Sequence, residues 1–245
     1  MRLKKIIKQL EGKFPLELAE EWDNVGLLLD STRREIKSIM LCLDITRDVV
    51  DKAVANKVDL IISHHPFIFS PLKKITTDEV NGEKILKLAR NNIAVYSMHT
   101  NIDSGIGGLN DFIIKKIGQE GKVFVISDNR CVELRKLVTG DLIDAKDKII
   151  NPLRIQKLKS AITIEELCKI IKEKLCIPNV RVVGDTAKLV KSYAICTGSG
   201  MSFSGNVKKK ADVFITGDLK YHESLDASEL NQTIIDLGHY ESEYL

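Results

Sequence analysis

Five histidines occur in this 245-residue sequence, at positions 64, 65, 99, 222 and 239, and all five fall at or just beyond the C-terminal ends of segments that read as strands. Open α/β sheets place their ligand sites there. His64 and His65 close the segment DLIIS and precede Pro66. Adjacent side chains on an extended chain point to opposite faces, so both rings become useful only where the strand ends and the chain turns. Pro66 cannot continue a ladder and pushes His65 toward extended geometry. A turning His-His pair can offer its imidazoles to two ions a few ångströms apart. Taken alone, such a pair is more often one core histidine beside one surface histidine.

Carboxylates shift that balance. His99 is followed four residues on by Asp103, and His239 by Glu243, in each case at the end of a strand. Singly, Asp103 reads as a turn residue in NIDSGIGG and Glu243 as a solvated carboxylate; their recurrence beside histidines weakens both readings. Imidazole and carboxylate together suit Zn²⁺, Mn²⁺, Fe²⁺ or Ni²⁺. The candidate metal ligands are therefore His64, His65, Asp103, His239 and Glu243. Two ions need a bridging group, and the longer reach of Glu243 makes it the candidate bridge. His99 reads as a donor that orients a metal ligand, and His222, in GDLKYHES, as a general acid or substrate contact. A satisfied, partly buried histidine competes with each reading. The glycines of DSGIGGLND (105, 107, 108) and TGSGMS (198, 200) can bring backbone amides to an anion, but lack full dinucleotide or P-loop spacing and serve equally as turns. Lys73, Lys74 and the lysines at 208–210 read as solvated charge that would favour an anionic substrate at a nearby metal cleft.

The elements that must position these groups form an α/β pattern. Residues 36–46 and 57–63 read as buried strands with a helix over 47–56 between them. A helix over 83–91 leads into a strand at 93–98, and the amphipathic N-terminus MRLKKIIKQLEGKF reads as the first helix. Strands alternating with helices predict βαβ units and a largely parallel sheet. The second half replays the first: 190–200 (VKSYAICTGSG) echoes 36–46, 211–217 (ADVFITG) echoes 58–64, and 231–243 (NQTIIDLGHYESE) echoes 91–103. Three matches in one order predict a duplicated architecture, which would bring the two carboxylates to one interface. We divide the chain into a first half at 1–116 with the HH and H-x-x-x-D motifs, a connecting segment at 117–188, and a second half at 189–245 with H-x-x-x-E. The connecting segment opens turn-rich and polar (TGDLIDAKDK, 139–148). It continues with a helix over 163–177, where Thr163 and Glu166 have capping-box spacing, and a strand over 179–184. The absence of a flexible linker predicts tightly packed halves.

Composition excludes some classes. Net charge is +3, from 37 basic and 34 acidic residues, too small an excess for a nucleic-acid or anionic-membrane footprint. No apolar run approaches the roughly 20 residues of a membrane span, and the N-terminus lacks the apolar core of a secretory signal. Five cysteines, odd in number and without C-x-x-C spacing, read as mostly buried reduced thiols, so the expected location is cytoplasmic.

Seven blocks in order then match one family: EEWDNVGLLLD (20–30), DLIISHHPFIFSPLKKI (59–75), HTNIDSGIGGLND (99–111), RVVGD (181–185), CTGSG (196–200), ADVFITGDLKYHESLDA (211–227) and DLGHYESE (236–243). Over nearly its whole length the chain resembles the GTP cyclohydrolase I type 2 homologues, also called Nif-three-like or dinuclear metal centre proteins. The resemblance implies two similar, intertwined three-layer α/β/α domains, a pair of metal ions between them, and a homohexameric ring. It places the family's ligands on His64, His65, Asp103, His239 and Glu243. Family members run on past the GHYESE block through a further helix, whereas this sequence reaches Leu245, so Glu243 is expected to lack that support.

The leading expectation is a dinuclear-metal-dependent hydrolase acting on a nucleotide or other phosphorylated small molecule, with His222 as proton carrier. The family's name implies opening of the GTP imidazole ring at C8 with loss of formate. The rival class is a metal-binding regulatory or scaffold protein without turnover, which explains the ligands equally well. A nucleic-acid-binding ring draws only on the hexamer and is disfavoured by the charge.

Overall fold

The computed structural model describes residues 1–33, 35–127, 130–133 and 150–244. The turn-rich stretch 139–148 lies outside them. The chain forms two compact units, Met1–Gly105 and Ile106–Leu245. Both are α/β, each built on its own sheet.

In the first unit the elements are α1 (Leu3–Lys13), β1 (Gly26–Leu29), β2 (Ile39–Cys42), α2 (Arg47–Ala55), β3 (Leu60–Ser63), α3 (Val80–Arg90), β4 (Ala94–Ser97) and α4 (Thr100–Ser104). The sheet order is β1-β4-β3-β2. Strands β2, β3 and β4 are parallel, and β1 runs antiparallel to β4. Alternate residues face opposite sides of a strand. Ile61 and Val95 accordingly pack with Val50, Ala53, Ile85 and Leu88 of α2 and α3, while Leu60, Ala94 and Tyr96 pack with Leu3 and Ile6 of α1. Helices cover both faces, which is why β3 and β4 are continuous apolar runs in the sequence.

The second unit contains α5 (Leu109–Ile117), β5 (Gly121–Ser127), β6 (Arg130–Glu133), β7 (Ile150–Thr163), α6 (Ile164–Leu175), β8 (Arg181–Val183), β9 (Leu189–Ile195), α7 (Ser204–Val207), β10 (Val213–Thr216), α8 (Tyr221–Glu229), β11 (Thr233–Asp236) and α9 (His239–Glu243). Its sheet order is β6-β5-β7-β9-β10-β11-β8. Helices α5 and α6 pack on one face, through Ile113, Ile117, Leu167 and Ile171. The opposite face holds Phe214 and Ile234 with Ala227 of α8 and Val207 of α7.

The duplication extends to hydrogen bonds. Strands β9, β10 and β11 are parallel with antiparallel β8 beyond β11, as β2, β3 and β4 are with β1 beyond β4. In the first unit Asp59 accepts from the amides of Lys37 and Ser38 at 2.7 and 3.1 Å. In the second, Asp212 accepts from those of Lys191 and Ser192, both at 2.9 Å.

Two expectations need correction. The second sheet is mixed rather than largely parallel, because β5, β6 and β7 pair antiparallel and β7 joins β9 antiparallel. Charged and amide side chains along β7, such as Arg154, Gln156, Lys157 and Lys159, interrupt the apolar pattern by which a strand is recognised. The cysteines are also less buried than expected. Cys168 and Cys196 are buried, Cys42 is half-buried, and Cys131 and Cys176 are exposed. Cys176 ends α6 with a left-handed φ of 58°, which turns its side chain out of the apolar stripe. The helix itself begins as its sequence dictates. The Thr163 hydroxyl accepts from the Glu166 amide at 3.1 Å and the Glu166 carboxylate accepts from the Thr163 amide at 2.8 Å.

Arg154 on β7 is fully buried, and its guanidinium pairs with Asp111 of α5. It also donates to the carbonyls of Asn151 and Leu153 at 2.8 and 3.3 Å. No helix among the described residues is long and apolar enough to cross a membrane.

Candidate metal centre

In the first unit, three imidazoles converge at the C-terminal ends of β3 and β4. The backbone amides of His64 and His65 still donate to the carbonyls of Cys42 and Leu43, at 3.1 and 3.0 Å. The Ser63 hydroxyl donates to the His65 carbonyl at 2.8 Å and so closes the turn. That turn brings both rings of the pair to the same place, with centroids 5.1 Å apart. His99, just past β4, stands edge-on to both at 5.2 and 5.6 Å. One ring nitrogen from each of the three lies within 4.8 Å of the others.

Each ring is oriented through Nδ1. His64 Nδ1 meets the Met98 carbonyl at 2.9 Å, His65 Nδ1 meets Asp44 at 2.8 Å, and His99 Nδ1 meets Asp23 at 2.9 Å. A carbonyl can only accept, so the proton of a neutral His64 sits on Nδ1 and its lone pair on Nε2. That nitrogen lies 3.9 Å from the buried carboxylate of Asp103. An imidazole nitrogen and a carboxylate at this range can share a cation. Imidazoles held at Nδ1 by carboxylate or carbonyl are the usual arrangement of metal-binding histidines. The donor set therefore fits a divalent ion.

Asp103 reaches this position through α4. Asn101 is buried. Its side-chain oxygen accepts from the His99 amide and its side-chain nitrogen donates to the Phe14 carbonyl, both at 3.0 Å. Burial alone would raise the pKa of Asp23, yet hydrogen bonds from His99 and Thr100 outweigh it and hold the carboxyl below its ordinary value. Asp23 therefore stays ionised to orient His99.

In the second unit, α9 carries His239 and Glu243 at helical i,i+4 spacing. His239 Nε2 lies 3.2 Å from the Glu243 carboxylate and Nδ1 lies 2.6 Å from Asp218. Hydrogen bonding to Glu243 opposes the effect of burial and, with Asp218, lifts the imidazole pKa from 6.5 to about 9. The Ser242 hydroxyl accepts from the Gly198 amide at 2.9 Å and donates to the His239 carbonyl at 2.8 Å. Helix α9 is thereby pinned to the loop after β9. Gly198 has φ +61°, and a β-carbon there would meet Glu243 Oε1 at 2.3 Å and His239 Nε2 at 3.4 Å. The TGSG glycine is thus a space requirement of the carboxylate.

The structure brings His64, His65 and Asp103 together in one unit, and His239 with Glu243 in the other. It adds His99 to the first group, where the sequence left an orienting role or an incidental one. His222 is exposed in the first turn of α8, its ring 5.2 Å from Tyr221. Sequence reading missed the orienting carboxylates Asp23, Asp44 and Asp218. Asp44 precedes His65 by 21 residues and Asp218 precedes His239 by 21 residues, although the duplication aligns Asp218 with His65 and His239 with His99. In both units the carboxylate follows the parallel strand next to the one that delivers the histidine.

Comparison with known proteins agrees with this architecture. The model of the family Duf34/NIF3 (NGG1p interacting factor 3) matches residues 1–245. A Clostridium acetobutylicum protein named GTP cyclohydrolase 1 type 2 homolog is 36% identical over 245 residues, covering 100% of this chain and 86% of its own length. Drosophila melanogaster NIF3-like protein 1 is 34% identical, covering 99% of this chain and 78% of its own. The crystal structure of a Staphylococcus aureus hypothetical protein superposes with a TM-score of 0.83 at 30% identity, covering 99% of this chain and 87% of that one. With the family model matched along its full length, and with repeated half-sites of the same residue types, the chain belongs to the Duf34/NIF3 family.

Proposed function

We propose that the protein is a dinuclear-metal-dependent hydrolase acting on a nucleotide or another phosphorylated small molecule, with two divalent ions held by His64, His65, Asp103, His239 and Glu243. The observation that carries this reading is the group of three imidazoles, each oriented at Nδ1 by a carboxylate or carbonyl. The names of the relatives as GTP cyclohydrolase 1 type 2 homologs support a nucleotide substrate. Such ions, when bound, supply a water nucleophile active at neutral pH and an electrophile for the bond attacked. The chain's own contributions are positional. Asp44, Asp23 and Asp218 fix ring orientation, Asn101 and Ser242 fix the two short helices, and exposed His222 is the proposed proton carrier. The test is turnover of GTP and a panel of phosphorylated metabolites by metal-loaded protein. Loss of that turnover on chelation and its return on reloading are expected; full activity of the stripped protein would refute the reading.

Two measurements probe the ligand shell. Asp44→Asn and Asp218→Asn keep shape but lose the charge that orients the imidazoles of His65 and His239, so each is expected to weaken metal binding by about 10–100-fold. Competition with a chromophoric chelator reads this directly, and unchanged affinity in both variants would count against the proposed ligands. Proton release is the second. At pH 7 the metal-free His239, with a pKa of about 9, carries a proton that an incoming ion must displace. Calorimetric titration in buffers of different ionisation enthalpy should therefore show proton release at pH 7 that shrinks as pH rises through 9. Affinity should fall as pH is lowered. The raised pKa also stabilises the metal-free fold, fully below pH 6.5 and decreasingly as pH rises through about 9. Absence of proton release at pH 7 would remove His239 from the ligand set.

A further inference from the structure

We propose that Trp22, Phe69 and Lys84 form a seat, beside the three imidazoles, for a planar aromatic ring that carries an anionic group. That the seated molecule is the substrate rests on the metal-centre reading above.

Trp22 is the only tryptophan in the chain and is 59% exposed. Its ring lies 6.0 Å from His99 and 6.0 Å from Phe69, which is itself 54% exposed. Two large aromatic rings left in solvent beside a polar cluster are unusual in a chain with so few aromatics. Their positions are held from behind: the Asn24 side chain donates to the Ile68 carbonyl at 2.5 Å, tying the Trp22 loop to the Phe69 loop. Phe69 also lines a cleft of about 740 Å³ whose lining includes His65, Asp44 and Lys84. Apolar walls with a few convergent polar groups are the usual make-up of small-molecule sites.

The cleft holds two cations in different states. Arg47 is neutralised by Glu83 at 2.8 Å. Lys84 has no ion pair among the described residues; it donates to the Ile45 carbonyl at 2.7 Å and lies 5.4 Å above the Phe67 ring. An ammonium has three donors, and this one has spent only one of them on the backbone. Burial, with the charge of Arg47, pulls its pKa below the ordinary lysine value against the attraction of Asp44, and an anionic group beside it would offset that burial. A ring stacked on Phe69 with Trp22 at its edge, and its charge on Lys84, would occupy the cleft that His65 also lines.

The lone tryptophan makes the test specific to this place. GMP, guanosine and ribose 5-phosphate are titrated into the full chain while tryptophan emission is followed. GMP should quench saturably, guanosine should bind at least about tenfold more weakly for want of the Lys84 contact, and ribose 5-phosphate should not quench. Phe69→Ala should weaken GMP at least about fivefold. Lys84→Met should bring GMP down to the affinity of guanosine and leave guanosine unchanged, which separates loss of a contact from loss of the fold. Absence of saturable quenching by GMP would overturn the proposal, as would equal weakening of both ligands by Lys84→Met. Emission that tracks protein concentration instead of GMP would overturn it in favour of a contact between copies of the chain. The two readings fail separately. No bound metal with quenching intact would sink the metal centre alone, and bound metal without quenching would sink the seat alone.

Discussion

Gly198→Ala is expected to cost the protein at least about 100-fold in metal affinity while leaving it folded. The added methyl carbon would sit 2.3 Å from Glu243 Oε1, closer than any non-bonded contact allows. Because that oxygen is the end of a flexible side chain, the clash is relieved by moving the carboxylate, at little cost to the fold. The moved group is the proposed ligand. Loss of an orienting partner alone lowers metal affinity about 10–100-fold, so displacement of the ligand itself should exceed that range. Stability should fall only by about 1–2 kcal/mol, the cost of a left-handed residue with a β-carbon at φ +61°. Metal titration with parallel thermal denaturation separates the two effects. Full metal affinity in a folded Gly198→Ala protein would show that Glu243 is not a ligand.

Asp111→Ala should produce the largest stability loss, about 3–5 kcal/mol. It removes the carboxylate facing the guanidinium of Arg154, a residue with no exposed surface. Removing one partner of a buried pair leaves a charge in a medium that solvates it poorly. The same carboxylate accepts from the Gly107 amide at 2.5 Å, so the loop entering α5 loses its anchor as well. For a chain of this size the loss corresponds to a fall in Tm on the order of 10 °C. Asp111→Leu combined with Arg154→Met should recover most of it, since the replacement is apolar and of similar volume. Denaturant unfolding checks both; a loss below about 1 kcal/mol for Asp111→Ala would show that other contacts balance Arg154.

The α/β class and the duplication were legible in the sequence, and so were the candidate site residues that the account builds on. His64, His65, Asp103, His239 and Glu243 announce themselves because they close short apolar strands and recur at matching spacing, both of which are local patterns. Thr163 and Glu166 are legible for the same reason. The carboxylate that orients His99 is not: Asp23 lies 76 residues away, and only the antiparallel return of β1 beside β4 brings its loop to the histidine. Asp44 and Asp218 lie closer in sequence to the histidines they orient, but the duplication aligns Asp218 with His65 and not with Asp44, so the repeat did not single them out. Strands β5 to β7 stayed hidden because their pairing is non-local and β7 carries charge along its length. Arg154 shows the difficulty most plainly. Its residue type argues for a surface, and its burial rests on tertiary partners such as Asp111, 43 residues away, which no local pattern announces.

Elemental analysis of protein purified without added metal and without chelator, repeated after reloading with Zn²⁺, Mn²⁺, Fe²⁺ or Ni²⁺, tests the central claim most directly. About two divalent ions per chain are expected, falling on substitution of His65 or Glu243 by alanine. A chain that retains no ion under either condition, while folded, would contradict the dinuclear centre and the hydrolytic chemistry that depends on it.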